Sequence, residues 1–520
     1  MKPSPDSPPV GQRSETLRLF RWLFEPRTLR VALGLLAGLL TLVAAIYVFE
    51  NWRGRRAWRA MAADLAQRGQ RIDLAAFVPP PVPDEQNFAL TPSLAPLFDF
   101  LPGTQRMRDT NAQTRLNALG RDLPSTPPAP DNMARGQLTP LDTWAVLMNP
   151  KAATNDPAAC ARTVIAGFQK YDPLLAELRL ASQRPASRFA IKYDLPDPSG
   201  ILLPHLSVLR CANQAAAMRA AAELALGQPD AAEPDLQLAF ALADTIRTEP
   251  ILISHLVRIA MHQRALCTLW DGLARHQWSE AQLAAFQNRL ARQAIWADFA
   301  IAIQGERAFG NAIIALVQRD PPMLNRLGTP SDGPFSEANL PEDLFLRAIP
   351  SGWFDLERVE YNRGFAAVML QPTQTAFGTF DPAAVEAASR SLDFGRGGFA
   401  ALRQHRILSA LLLPALSNAY RKAAYTQVHT DQAVLACALE RFRLKQGRFP
   451  ERLEELTPAY LDRIPPDLIK GGALHYQRPD PQRFVLYSIG WNGVDDGGTP
   501  GHNDRQRLDP TTGDWVWRTP

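Results

Sequence analysis

Three features of the sequence predict a mainly α fold built from one transmembrane helix, an α-helical bundle or array, and a small C-terminal α+β module with an antiparallel hairpin. Residues 31–49, VALGLLAGLLTLVAAIYVF, carry no charge. Between about Thr139 and Tyr425 apolar residues recur at helical spacing between recognisable caps. After about Thr430 one helical stripe gives way to two short alternating runs. With 520 residues, 46% hydrophobic and 21% charged, the chain can bury two or three cores, so disorder does not describe the whole.

Residues 1–30 read as a disordered tail, with Pro3, Pro5, Pro8 and Pro9 and no apolar period. The uncharged segment 31–49 spans about 28 Å as a helix, the thickness of a bilayer core. Trp22, Tyr47 and Trp52 stand near its ends, and Arg27, Arg30, Arg53, Arg55 and Arg56 bracket it, the pattern of a span anchored at both interfaces. The first 60 residues hold ten Lys or Arg against four Asp or Glu, +6, while the other 460 carry 46 against 48, −2. The basic excess therefore lies beside the membrane, where it favours anionic lipid, and points away from nucleic acid. No small-x-small cleavage site follows the apolar run, so the expectation is an uncleaved anchor with its N-terminus inside and the bulk extracytoplasmic. Cys160, Cys211, Cys267 and Cys437 are widely separated single thiols, compatible with either compartment.

Residues 50–76 read as a juxtamembrane helical stalk, with Trp58, Met61, Leu65 and Arg68 at helical spacing up to Gly69. Residues 77–138 read as a Pro-rich linker. Pro79–Pro83 forms a stiff extended spacer, a short apolar helix lies near Leu94–Phe100, and Pro124, Pro127, Pro128 and Pro130 mark the end. From 139 to 425 the helical domain follows. Ser207–Leu226 stops at Gly227, Asp235 is placed to cap the next helix, Pro250 opens a third, and Ser279 with Gln282 makes a capping box beside a Trp278–Leu283 staple. Phe189, Ile191 and Tyr193 alternate in a lone extended segment, and 328–344 and 375–382 read as surface loops. The stretch AAAELALGQPDAAEPDLQLAFALAD resembles a tetratricopeptide-type hairpin, although no 34-residue period persists.

Residues 426–520 form the last unit. The order ALERFRLKQGRFPERLEEL, YLDRIPPD, LHYQR, FVLYSIGWNGVDDGG resembles the soluble domain of the type II secretion major pseudopilin over about seventy residues. That resemblance implies structural roles for Gly447, Phe449, Pro450, Pro465, Asp467, Tyr487, Ser488 and Gly490. It also implies a calcium loop containing Asn492, Asp495 and Asp496. Two departures are plain: 381 residues separate Phe49 from Thr430, and no pilin processing site precedes Val31. On its own chemistry, the acidic loop offers oxygen ligands without EF-hand spacing, or simply an Asp/Gly turn. Trp515 and Trp517 stand at strand spacing and predict a final strand or clip.

Catalytic signatures are scarce. His255 and His262 share a predicted helix, with Glu249 before it, but neither HExxH nor ExxH occurs. Glu306, Arg307 and Asp298 lie in an apolar helix and must be paired or solvated there. Walker A, GxGxxG and GxSxG are absent, and FGRGGF at 394–399 is a glycine turn. Two functional expectations follow. One is a membrane-anchored envelope protein with a binding or scaffold surface, held by lipid through 31–49. The other is a membrane-tethered hydrolase using carboxylates between helices, with Glu306 as its leading candidate.

Overall fold

The computed structural model describes residues 26–102, 104–112, 114, 132–152, 154, 156–193, 197–321, 323, 348–366, 380–391, 405–406, 414–505 and 507–519. Most of the predicted tail, the second proline cluster at Pro124–Pro130, the loop 328–344, most of 375–382 and the glycine turn 394–399 lie outside the described residues.

Apolar run and stalk form one helix, α1, Pro26–Gln67. At 1.5 Å per residue its 42 residues reach about 63 Å. The body follows as α2 (Leu141–Met148), α3 (Pro157–Phe168), α4 (Asp172–Ala181), α5 (Pro204–Ala225), α6 (Pro229–Asp244), α7 (Leu252–Ala274), α8 (Glu280–Leu290), α9 (Ile295–Arg319), α10 (Ser351–Phe365), α11 (Pro382–Ser391) and α12 (Pro414–Gln446). The protein is mainly helical, with a small antiparallel sheet towards its C-terminal end.

Alanine makes α5 the pivot of the body. Ala212, Ala215, Ala216, Ala217, Ala220 and Ala222 are fully buried, and their small side chains admit α3, α6 and α7 around one helix. Asn213 ties α5 to α6 and α7, its Nδ2 donating to Ala239 O at 2.8 Å and Met261 O at 3.3 Å. Gly227, at φ +72°, ends α5 as the sequence predicts: Gln228 N–H reaches back to Glu223 O and Gly227 N–H to Leu224 O. The Ser279–Gln282 capping box is present on α8, with Trp278 and Leu283 buried beside it. Phe189, Ile191 and Tyr193 are buried and Ala190 and Lys192 exposed, so the lone segment packs with a period of two.

Strands β1 (His475–Asp480), β2 (Arg483–Ser488) and β5 (Trp515–Arg518) form an antiparallel sheet in the order β1-β2-β5. Tyr487 stands opposite His475 on one side and Val516 on the other. Strands β3 (Pro500–His502) and β4 (Leu508–Gly513) pair separately. Trp515 and Trp517, buried at 1% exposure each, belong to the final strand that their spacing predicts.

Three expectations are corrected. Asp235 lies inside α6 and not at its start; it is buried and receives Arg179 from α4 and Arg219 from α5. The 77–138 region is no free linker over its described first part. Phe88, Leu94 and Leu97 enter the main core, and Asn87 exchanges hydrogen bonds with Arg188 N and O, at 2.8 and 3.0 Å. The expected apolar helix there is a single 3-10 turn, Ala95–Phe98. The boundary placed at 425/426 falls within α12, which begins at Pro414 and not near Thr430. Residues 432–440 of that helix are buried without a break, between α7 and α8 on one side and the sheet on the other. One contiguous core therefore runs from Phe88 to Trp517.

Candidate functional site

The change from exposed to packed along α1 defines the most informative site. Its most apolar window has a mean hydropathy of 2.5 and no buried residue. Val31, Leu33, Leu35, Leu36, Leu39 and Leu40 are each more than half exposed, and Leu42, Val43, Ile46, Val48 and Phe49 continue the surface. At about 1.5–3 kcal/mol per large apolar side chain, leaving them in water costs on the order of 20 kcal/mol. That exceeds the net stability of a typical domain, roughly 5–15 kcal/mol. In a second apolar stretch, Glu280–Arg319, 56% of the most apolar window is buried, and the core of the body accounts for it.

From Tyr47 onward one face of α1 is covered by α10. The Tyr47 hydroxyl donates to Ala348 O, and Trp353 Nε1 donates to Glu50 Oε2 at 3.0 Å. Asn51 Oδ1 accepts from Gly352 N at 2.8 Å and from Ser351 Oγ at 3.1 Å. Since Pro350 supplies no side-chain cap, Asn51 caps α10 from a different helix. Gly54 and Gly352 make the closest approach: a Cβ on Gly54 would lie 2.0 Å from Gly352 O. One turn on, the Arg358 guanidinium lies 3.8 Å from the Trp58 ring centroid. Arg55 and Arg59 face Asp355, whose carboxyl is raised by burial and drawn back by Gln318, Arg358 and these two arginines. The residues Tyr47, Asn51, Gly54, Trp58 and Leu65 are spaced as one helical face, a signal present in the sequence once 47 is included in the stalk.

Beyond α1, Gln70 Oε1 accepts from Arg307 Nη1 at 2.7 Å, and Arg307 Nε donates to Asn362 Oδ1 at 2.7 Å. Arg307 is 2% exposed and, without a carboxylate on it, burial lowers its pKa to about 10. Of the charges expected to be paired or solvated, Arg307 is therefore held by neutral partners. Asp298 instead meets the buried Arg258 of α7 at 2.8 Å. Glu306 accepts the Leu252 backbone N–H at the start of α7, and burial raises its pKa to about 7.

His255 and His262 do not converge. His255 Nε2 bonds Glu249 O at 3.0 Å, whereas His262 Nε2 reaches Thr430 Oγ1 on α12 at 3.0 Å. Burial lowers both to about 3, so both are neutral. The sequence reading missed His205, whose Nε2 lies 2.8 Å from Glu249 Oε1 while its ring stacks on Phe189. Nothing local signals this pair, since 44 residues separate its members.

In the acidic loop, Asn492 Oδ1 accepts Val494 N, Asn492 Nδ2 donates to Asp496 Oδ2, and Asp495 Oδ1 accepts Gly497 N. Asp514, 2% exposed, accepts the N–H groups of Asp496 and Gly498 and closes the loop onto β5. These side chains are accounted for as turn formers. Among the described residues no group of three or more His, Cys, Asp or Glu side chains is gathered to hold a metal ion. No family model, curated protein or solved structure matches the chain.

Proposed function

We propose that this is a single-pass membrane protein whose lipid-held helix carries a helical binding or scaffold body on the extracytoplasmic side. The observation that carries the reading is the switch along α1, from apolar and exposed on every side to covered by α10 on one face. Lipid satisfies the first part, and the second makes the anchor a structural member of the body. Arg53, Arg55, Arg56 and Arg59 follow the apolar run within three turns, where anionic headgroups would favour them. A role near a secretion apparatus rests on the pseudopilin resemblance of the C-terminal sequence alone. A reporter that is active only outside the cytosol, fused after Pro520, tests the orientation. Activity is expected; a cytosolic reporter sinks the placement.

A second reading, a membrane-tethered hydrolase, is favoured by one observation: Glu306 is a carboxyl held near pH 7 by burial and free of an Arg307 partner. Glu306→Gln separates the readings. Loss of an envelope hydrolysis with the fold retained supports the enzyme, and retained function supports the scaffold.

A further inference from the structure

The extended proline run does more than space the anchor from the body. It forms one wall of an open cleft of about 390 Å3, within the usual range for small-molecule sites. Pro79, Pro80 and Val82 present an apolar surface on that side, over the buried Phe88. The chain leaving α4 and α6 and the end of α8 line the rest of the cleft and bring Arg184, Arg188, Arg247 and Arg289 to it.

Charge decides what such a cleft holds. Arg289 Nη2 meets Asp244 at 2.9 Å, so that pair is neutral overall. Arg184 and Arg188 are held by backbone acceptors, Asn87 O at 2.8 Å and Pro79 O at 2.9 Å, which fixes each guanidinium without cancelling its charge. Arg247 is exposed and, among the described residues, has no ion-pair partner. Three formal positive charges remain. The C-terminal ends of α4, α6 and α8 contribute about half a negative charge each at most, which offsets roughly half of them. Three buried polar atoms in the lining, Ser187 Oγ, Arg289 Nε and Asp244 Oδ1, also lack a hydrogen-bond partner, the charge of Asp244 being the one already matched by Arg289.

We infer that this cleft binds a small amphiphilic oxyanion, a phosphate or carboxylate carried on a compact apolar group. The oxyanion sits among Arg184, Arg188 and Arg247, whose planar forks match its geometry, and the apolar part lies on the proline wall. The inference stands independently of the membrane reading.

Calorimetric titration of the full chain in detergent micelles tests it, with phenyl phosphate as probe and inorganic phosphate and benzyl alcohol as half-probes. Phenyl phosphate is expected to bind saturably and more tightly than either half-probe. Arg247→Glu, which removes no intramolecular partner, weakens it about ten-fold or more, as expected for losing a charge-assisted hydrogen bond. Arg505→Glu, at an exposed site on the C-terminal unit, leaves binding unchanged. Should Arg247→Glu fail to fold, Arg247→Ala gives the same comparison. The inference is overturned by any of three results: no saturable binding, equal binding by wild type and the Arg247 variant, or equal weakening by Arg505→Glu. Inorganic phosphate binding as tightly as phenyl phosphate also overturns it, because the apolar wall then plays no part.

Discussion

Glu306 shows how one side chain ties the fold to pH. Its folded-state pKa of about 7 lies above the ordinary 4.5 because burial disfavours the carboxylate, and the Leu252 N–H only partly opposes this. The folded protein therefore holds the proton more tightly than the unfolded chain. Its penalty is absent below about pH 4.5 and grows as pH rises to 7. Glu306→Gln, which keeps an acceptor for Leu252 N, is expected to stabilise the protein by roughly 2 kcal/mol at pH 8, after allowing for partial exposure, and by little at pH 4. Denaturant melts at the two pH values check this, and an equal difference at both would refute it. At this scale the sequence marks charged residues in apolar helices without revealing their partners. Asp235 reads as a cap because it stands just before an apolar-periodic run, yet Arg179 and Arg219 reach it from 56 and 16 residues away. Such pairs depend on packing that no local pattern encodes.

Helix-scale signals are more legible where the cause is local. The capping box at Ser279, the stop at Gly227 and the alternation at Phe189–Tyr193 each follow from a few neighbouring residues, and each is present. The docking of α1 on α10 is different in kind, because Gly54 has meaning only opposite Gly352, 298 positions on. Gly54→Leu places a side chain where backbone already lies, so α1 must separate from α10. Limited proteolysis of the detergent-solubilised protein is expected to cut the variant near Arg68–Arg71 at least several-fold faster than wild type. Unchanged cleavage would mean that this contact does not hold the anchor.

The whole molecule behaves as one body because its core is shared. Composition suggests a break near 425, and the resemblance of the last stretch to a pseudopilin domain adds to that expectation, but α12 crosses that point with both faces covered. Further bonds join the two sides: Trp270 Nε1 donates to Arg518 O at 2.9 Å, Gln287 Nε2 to Tyr460 O at 2.6 Å, and Arg441 pairs with Glu280 at 2.8 Å. A fragment of residues 426–520 exposes the buried stretch 432–440 and begins in mid-helix. It is expected to melt without a cooperative transition, whereas sharp unfolding of the isolated fragment would establish an independent unit.

The central claim is that lipid covers the bare half of α1 while the remainder is locked to the folded mass. Alkaline carbonate extraction of membranes from cells making the full chain addresses it most directly. The account predicts that the intact protein stays with the membrane pellet and that deletion of 31–49 releases it. Recovery of the intact, full-length protein in the carbonate supernatant would contradict the account.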